Sequence, residues 1–151
     1  MDLTDLARRL LDPIPAHRTL GLQVLRAADG VGEVAADVPP ALTNVIGSLH
    51  SSGLITLVDA AGLAAIIGAV DSADAFAGIV PLGSAAELRF LAPARGHLVA
   101  TCRLEREERA AVAALCAGTV DVARTMTETE VTDAGGVVVC QGSFDWILRR
   151  R

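Results

Sequence analysis

The sequence contains no lysine and no tyrosine, and aromatic residues make up only 3% of its 151 residues. Its formal net charge at pH 7 is −5. A nucleic-acid-binding surface needs a basic face, usually with aromatic rings for stacking, so this composition argues against that class. All 13 fixed positive charges are arginines, which pair with carboxylates and phosphates better than lysine does. A local site for an anionic ligand is therefore one interpretation, and biased codon usage is the other.

Cysteine is also scarce, and the three thiols, Cys102, Cys116 and Cys140, show no CxxC or histidine-rich spacing. Neither a zinc site nor a disulfide framework is indicated. We expect three small buried thiols in a reducing cytosol, and neither a metal nor a cofactor.

No segment has the features of an export signal or a convincing membrane span. The first residues, "MDLTDLARRLLDPIP", carry acids and no apolar core of signal-peptide length, so we expect a cytoplasmic protein. The apolar run "LHSSGLITLVDAAGLAAIIGAV" approaches the ~20 residues that cross a bilayer. However, Asp59 lies at its centre, where an acid costs about 2.5 to 3.5 kcal/mol, and flanking anchors are missing. A helix buried inside the protein is the better interpretation, with no membrane partner.

The periodicity of apolar residues predicts one domain spanning residues 1–151. Residues 1–19 are expected to hold a short helix, with Thr4 as a possible cap and an end before Pro13, followed by a lead-in. The other predicted elements are strands at 21–28 and 31–38, a long helix at about 49–69, strands at 84–93 and 96–104 joined by a tight junction, a helix at 105–117, and two strands around residues 133–136.

Three local signals support these elements. Asp29-Gly30 between two alternating runs is typical of a hairpin turn. The segment at 49–69 is apolar nearly all round, as a fully buried helix should be. Gly118 follows the charged, alanine-rich helical pattern and is expected to end that helix.

This order of elements predicts an α+β fold in which a curved, mostly antiparallel sheet wraps around a long central helix. A helix with almost no polar face needs cover on all sides, and a curved sheet supplies it. The other face of that sheet would be left partly uncovered, which favours a homo-oligomer.

Asp59 is the one carboxylate in the apolar helix. Burying an unpaired charge is costly, so such a group is normally partnered, neutralised or at a wet site. Asp59 follows His50 by nine residues, which places it roughly 13 Å along the helix axis from that histidine. If two subunits pack with antiparallel central helices, Asp59 of one subunit faces the His50 end of the other, and a composite site results. The alternative is that Asp59 caps a second helix that begins after a break.

The start of the same helix has free N–H groups and a partial positive charge, which suit an oxygen that becomes anionic during acyl transfer. This arrangement would serve as an oxyanion hole. The alternative is that Ser51 or Ser52 simply caps the helix. Asn44 and His50 also have a structural alternative, in which they are loop residues whose side chains bond to the backbone.

Asn44, Gly47, His50 and Asp59 follow one another in the order N-x-x-G-x-x-H-x8-D, and "ELRFLAPARGHL" comes after a loop. The pattern resembles the hotdog-fold acyl-CoA thioesterases of the phenylacetic-acid-pathway and 4-hydroxybenzoyl-CoA type, from about Leu20 to the last strand. The resemblance implies a dimer or a dimer of dimers. It also implies that an acid at the position of Asp59 attacks the thioester or activates water.

The sequence departs from that family in two places. Two glycines usually follow the histidine, and the N–H of the first helps to polarise the thioester carbonyl; this chain has Ser51 and Ser52 instead. The helix at 105–117 stands where many relatives run directly from strand to strand. Ser84 lies close to a polar position that assists the acid in some relatives, shifted by one residue.

The resulting prediction is hydrolysis of an acyl-CoA thioester to a free acid and CoA, at a site shared between two subunits of a homodimer or homotetramer. The predicted catalytic residues are Asp59, Asn44 and His50. The predicted substrate-binding residues are Gly47, Ser51, Ser52 and Ser84.

Two other functions fit the same fold. The first alternative is a non-catalytic hotdog module that binds an acyl-CoA or another apolar ligand. A dehydratase comes third, because it requires a histidine and an acid that meet over the β-carbon of the acyl chain. Arg89, Arg95 and Arg103 are either contacts for the CoA phosphates or solvated strand ends.

Overall fold

The computed structural model describes all residues from Met1 to Arg151. Its helices and strands, in chain order, are α1 (Thr4–Leu11), α2 (Pro15–Leu20), β1 (Gln23–Ala28), β2 (Val31–Asp37), α3 (Ser51–Ile67), α4 (Ala73–Phe76), β3 (Ile79–Phe90), β4 (His97–Arg103), α5 (Arg106–Cys116), β5 (Val122–Asp133) and β6 (Val138–Arg150). A single 3₁₀ turn, Pro40–Leu42, lies between β2 and α3.

The six strands form one sheet in the order β1-β2-β4-β5-β6-β3, and every neighbouring pair is antiparallel. Helix α3 packs against β1, β2, β4, β5 and β6. The sheet is open, with β1 and β3 as its edges. The predicted α+β architecture, an antiparallel sheet around a long central helix, is confirmed.

Two glycines let α3 approach the sheet closely. A Cβ at Gly32 on β2 would overlap the carbonyl oxygen of Ala61 on α3. A Cβ at Gly62 on α3 would lie 2.6 Å from the hydroxyl oxygen of Thr127 on β5. Larger side chains at either position would push the helix away from the sheet, so these small residues fix the position of α3.

In the N-terminal region, the structure confirms the predicted hairpin turn and corrects the predicted cap of the first helix. Asp29 and Gly30 have φ values of 53° and 75°, the positive values that a two-residue type I′ turn requires. Thr4 is not the cap of α1: the N-cap position is Leu3, and the Thr4 hydroxyl accepts a hydrogen bond from Ala27 N at 3.0 Å. The prediction of a Thr4 cap was wrong because strand β1 takes up that hydroxyl.

Helix α2 was not predicted, because the proline-rich segment was interpreted only as a stop for α1. Pro15 instead opens α2, where its fixed φ and missing N–H are tolerated. The helix ends at Gly21, which adopts the left-handed conformation with φ of 70°. Helix α2 packs against α3 and so belongs to the surroundings of the central helix.

The junction between β3 and β4 is short but joins strands that are not neighbours. Strand β3 pairs only with β6, whereas β4 lies between β2 and β5. The connection therefore crosses the sheet and passes the start of α3, where Leu49 N donates a hydrogen bond to the carbonyl oxygen of Ala94 at 2.8 Å. The alternation of apolar and polar residues predicted both strands, but it does not show which strand each of them pairs with in the sheet.

The far face of the sheet and the edge strand β3 are poorly covered in the single chain. Residues 83–87 of β3 are all exposed, on both faces of the strand. Helix α5 adds Val112 and Leu115 to the buried core and covers only part of the remaining surface. None of the helices combines the length and the hydropathy that crossing a lipid bilayer would require.

Candidate functional site

Helix α3 starts with a histidine cap. His50 occupies the N-cap position, and its Nδ1 accepts a hydrogen bond from Ser52 N at 3.1 Å and lies 2.9 Å from the Ser52 hydroxyl oxygen. The alternative in which Ser51 or Ser52 caps the helix is therefore wrong. The N–H of Ser51 has no acceptor within the chain, and Ser51 is exposed.

The loop before α3 is built around Asn44. Its side-chain Oδ1 accepts hydrogen bonds from Ile46 N and Ser48 N, both at 3.1 Å. Gly47 closes the loop with φ of 73°, a value that favours glycine. The interpretation of Asn44 as a loop residue bonded to backbone is confirmed. Its side-chain NH₂ group has no partner within the chain, so it is free to donate to a ligand.

The β3–β4 crossover holds this loop in place. Ala94 N donates a hydrogen bond to the Ser48 hydroxyl at 2.8 Å, and the Arg95 guanidinium donates to the carbonyl oxygen of Ile46, also at 2.8 Å. Arg95 is therefore more than a solvated strand end, because it fixes the loop that precedes α3.

Asp59 is the ninth residue of an uninterrupted α3. The alternative in which Asp59 caps a second helix after a break is wrong, since no break exists. Its side chain is 31% exposed and accepts no hydrogen bond from the chain. The only charged or chargeable group within 4 Å is the Nε2 of His17, at 3.8 Å from Oδ2.

The sequence reasoning missed His17. This residue lies on α2 and is 2% exposed, and its Nδ1 is 2.8 Å from the carbonyl oxygen of Leu11. A carbonyl oxygen only accepts hydrogen bonds, so Nδ1 carries the proton. The presence of Pro15 at the start of α2 was an available signal for the helix. No sequence signal shows that α2 packs beside Asp59.

The accessible surface of α3 is a single stripe. Every residue of α3 from 60 to 67 is buried, and the exposed or half-buried positions are Ser51, Ser52, Ile55, Thr56 and Asp59. Positions four apart on a helix share a face, so Ser51, Ile55 and Asp59 form a row. The stripe begins at the unpaired Ser51 N–H and ends at the Asp59 carboxylate.

The predicted site residues fall into three places within one chain. Asn44, Gly47 and His50 lie with the serines at the start of α3, whereas Asp59 is roughly 13 Å farther along the helix. Ser84 lies elsewhere, in a bulge of β3, and its hydroxyl donates a hydrogen bond to the carbonyl oxygen of Asp145 at 3.1 Å. One chain does not bring these groups together.

Several large apolar side chains near α3 and the edge strand are exposed. Val45 is fully exposed, and four others are 42 to 57% exposed, namely Ile46, Ile55, Phe90 and Leu91. Val45 and Ile46 belong to the loop that Arg95 holds, and Ile55 lies in the stripe on α3. These residues offer apolar surface to a ligand or a second chain.

A polar cavity lies on the opposite face of the sheet. It has a volume of about 570 Å³ and is lined entirely by polar residues and glycine. Arg89 and Arg103 line it together with Glu87, Glu128 and Glu130, so the cavity carries charges of both signs. These two arginines do not point towards the stripe on α3, and the cavity is separate from the candidate site.

The three cysteines are unpaired, and they are not placed as nucleophiles. Burial raises the pKa of the Cys102 and Cys140 thiols to about 11. Burial also raises the pKa of the half-buried Cys116 thiol. A thiol with a raised pKa holds its proton at neutral pH and is a poor nucleophile.

The open antiparallel sheet around a central helix is the hotdog fold, and comparison with solved structures confirms it. A Pseudomonas aeruginosa protein described as of unknown function and a probable thioesterase has 29% sequence identity and a TM-score of 0.76, over 98% of this chain and 96% of that one. The Escherichia coli PaaI protein, from the phenylacetic acid degradation operon, has 17% identity and a TM-score of 0.69, over 99% and 96%. The predicted resemblance to hotdog thioesterases is confirmed.

A family model extends over nearly the whole chain. Residues 6–148 match the family described as "Domain of unknown function (DUF4442)". The chain belongs to this family. No curated protein matches the sequence.

Proposed function

We propose that this protein hydrolyses an acyl-CoA thioester to a free acid and CoA. The observation that carries the proposal is the accessible stripe on α3, which begins at the unpaired Ser51 N–H and ends at Asp59. An acyl-transfer site needs a donor for the developing oxyanion and a carboxylate or other base, and the stripe offers both. The description of the Pseudomonas aeruginosa neighbour as a probable thioesterase supports the same reaction class.

The Ser51 N–H is the proposed donor to the thioester oxygen. It lies in the first turn of a 17-residue helix, where the helix dipole adds a partial positive charge. The His50 ring is already used as the cap, which leaves the Ser51 N–H free for a ligand. The NH₂ group of Asn44 is a second free donor at the same end of the helix.

Asp59 is the proposed base. Its carboxylate accepts a proton from water while the water oxygen attacks the thioester carbonyl carbon, and the carbonyl oxygen becomes the oxyanion. The C–S bond of the tetrahedral intermediate then breaks, and the CoA sulfur takes the proton from Asp59. Because no N–H or O–H group of the chain donates to this carboxylate, its oxygens are free to accept that proton. Direct attack by Asp59 on the thioester is the other route that this position permits.

The two ends of the stripe are too far apart to act on one thioester within one chain. We propose a homodimer or homotetramer in which two α3 helices run antiparallel, so that Asp59 of one subunit faces the Ser51 end of the other. The exposed edge strand β3 supports this arrangement, because the unpaired N–H and C=O groups of its outer edge are available to a strand of a second chain. The proposed dimer continues the sheet across its two-fold axis through β3.

The exposed apolar residues are the proposed acyl contacts. Ile55 lies between Ser51 and Asp59, and Val45 and Ile46 lie on the adjoining loop. Arg95 is the proposed contact for a CoA phosphate, because Arg89 and Arg103 lie on the opposite face of the sheet. The unpaired thiols support a cytoplasmic location for this single hotdog domain.

A non-catalytic acyl-CoA-binding module is the second candidate. The exposed Ser51 side chain stands at the start of α3, where it crowds an acyl group that would reach the helix N–H. A dehydratase is less well supported. A histidine and an acid do meet, at His17 and Asp59, but His17 is 2% exposed and out of reach of a substrate.

The proposal is tested by hydrolysis assays on acyl-CoA thioesters of increasing chain length, including an aromatic acyl group, with loss of the thioester absorbance as the readout. We expect release of CoA from at least one substrate. Binding is measured in parallel by calorimetry. Binding without turnover would favour the non-catalytic module, and neither binding nor turnover would contradict both functions.

A further inference from the structure

The side chain of His17 connects the N-terminal helices to the carboxylate of Asp59. Its Nδ1 donates to the carbonyl oxygen of Leu11, the last residue of α1, at 2.8 Å. The same carbonyl oxygen also accepts a hydrogen bond from Ile14 N at 3.2 Å, so His17 is its second donor. The ring is thereby fixed in orientation, with Nδ1 protonated and Nε2 directed at Asp59.

The other side of the ring faces the carboxylate. Nε2 lies 3.8 Å from Asp59 Oδ2, which is ion-pair distance and longer than a hydrogen bond. With Nδ1 already protonated, a neutral ring presents its Nε2 lone pair to an ionised carboxylate, and the two repel. A contact that holds an ionised carboxylate at this distance therefore requires a proton on Nε2 as well.

His17 is the only residue of the chain in a position to orient this carboxylate. No hydrogen-bond donor and no other charged group lies within reach of Asp59, and its helix neighbours Val58 and Ala60 are fully buried. An unrestrained carboxylate would populate several rotamers. A protonated Nε2 beside Oδ2 would favour one of them.

We propose that His17 is a positioning residue, which holds the Asp59 carboxylate in the orientation needed for attack on the acyl-CoA thioester. The inference rests on the proposed function. His17 does not touch the substrate, because its side chain is 3% exposed. The two N-terminal helices thus act on the site through one buried ring, although neither contributes to the accessible stripe on α3.

Two substitutions separate this role from a purely structural one. His17→Asn keeps a donor near the position of Nδ1 and removes the group that faces Asp59. His17→Gln places its donor near the position of Nε2 and loses the bond to Leu11. His97→Asn is the matched control, since His97 contacts Asp37 at 2.8 Å in an exposed histidine–aspartate pair on the sheet.

We expect His17→Asn to melt near the wild-type temperature while kcat falls about 10- to 100-fold and KM changes little, as for a misplaced catalytic group. His17→Gln should be less stable than His17→Asn yet recover part of kcat. His97→Asn should match wild type. If kcat instead follows thermal stability in both His17 variants, or is unchanged in His17→Asn, the positioning role is wrong.

A measurement on folded protein tests the contact without touching His17. Long-range ¹H–¹⁵N spectra report the protonation of each imidazole nitrogen, and Asp59→Asn should move the Nε2 signal of His17 but not that of His97. Unchanged His17 signals would overturn the inference whatever the kinetics show. If wild type hydrolyses no acyl-CoA, the proposed function fails and the kinetic role fails with it, while the spectra still decide whether His17 holds Asp59.

Discussion

Ser51 and Asp59 lie on the same face of α3, two turns apart, and they mark the two ends of its accessible surface. The separation is roughly 12 Å along the helix axis. A thioester carbonyl bound at one end is out of reach of the other, so the geometry connects catalysis to assembly.

The first prediction concerns the dimer edge. Leu82→Glu places a charge on β3 at a side chain that is 52% exposed in the single chain, and we expect it to convert the dimer to a monomer and to abolish hydrolysis. Val137→Glu, at a 50% exposed position between β5 and β6, is the matched control and should keep the assembly. Sedimentation velocity measures the oligomeric state of both variants. A wild-type monomer at micromolar concentration would contradict the shared site.

The second prediction concerns the first N–H of α3. Ser51→Gly should keep or raise activity, because the donor stays and the side chain that crowds the acyl group is removed. Ser51→Pro should abolish activity by removing the N–H, with the fold intact, since proline is favoured at the first position of a helix. Turnover is compared after far-UV circular dichroism confirms the helix content. Full activity in the proline variant would show that this N–H takes no part.

The third prediction follows from the absence of lysine and tyrosine. The thiols are the only side chains expected to titrate between pH 9 and 11, since arginine stays protonated there. Burial raises the pKa of Cys102 from 9.0 to about 11 in the folded state. The unfolded chain therefore loses this proton first, and the free energy of unfolding falls as pH rises from about 9 to 11.

The Cys102 contribution to this loss is at most roughly 3 kcal/mol at pH 11, as two pKa units imply. Denaturant titrations at several pH values measure it in wild type and in Cys102→Ala. The variant should be less stable at pH 8, because removing the sulfur leaves a cavity. Its free energy of unfolding should nevertheless fall less than that of wild type between pH 9 and 11. Parallel curves for the two proteins would contradict the raised pKa of the thiol.

Much of the fold follows from local sequence signals. The positive φ values of Asp29 and Gly30 are the ones that a tight hairpin needs, and the apolar run around Asp59 has no polar face to leave exposed. The position of β3 in the sheet was harder to predict. Alternation of apolar and polar residues indicates that a strand exists, but it does not indicate which edge of the sheet the strand joins. Its partner β6 lies some fifty residues farther along the chain.

The site was predictable in part. Asn44, Gly47, His50 and Asp59 were identified because their order resembles that of hotdog thioesterases, and the structure shows the first three together at the start of α3. Their roles stay predictions. His17 was not identifiable, because its importance comes from α2 packing on α3, and no periodicity within either helix records which helices meet.

Asp59→Asn tests the central claim most directly. The variant removes the proton acceptor but keeps the size and polarity of the side chain, so the melting temperature and the affinity for a substrate acyl-CoA should stay near wild type. We expect kcat to fall at least ~100-fold, the low end of what general-base catalysis contributes. Asp37→Asn, in the exposed pair with His97, is the control and should keep full turnover. Equal turnover by wild type and Asp59→Asn would contradict the proposal that this carboxylate performs the reaction.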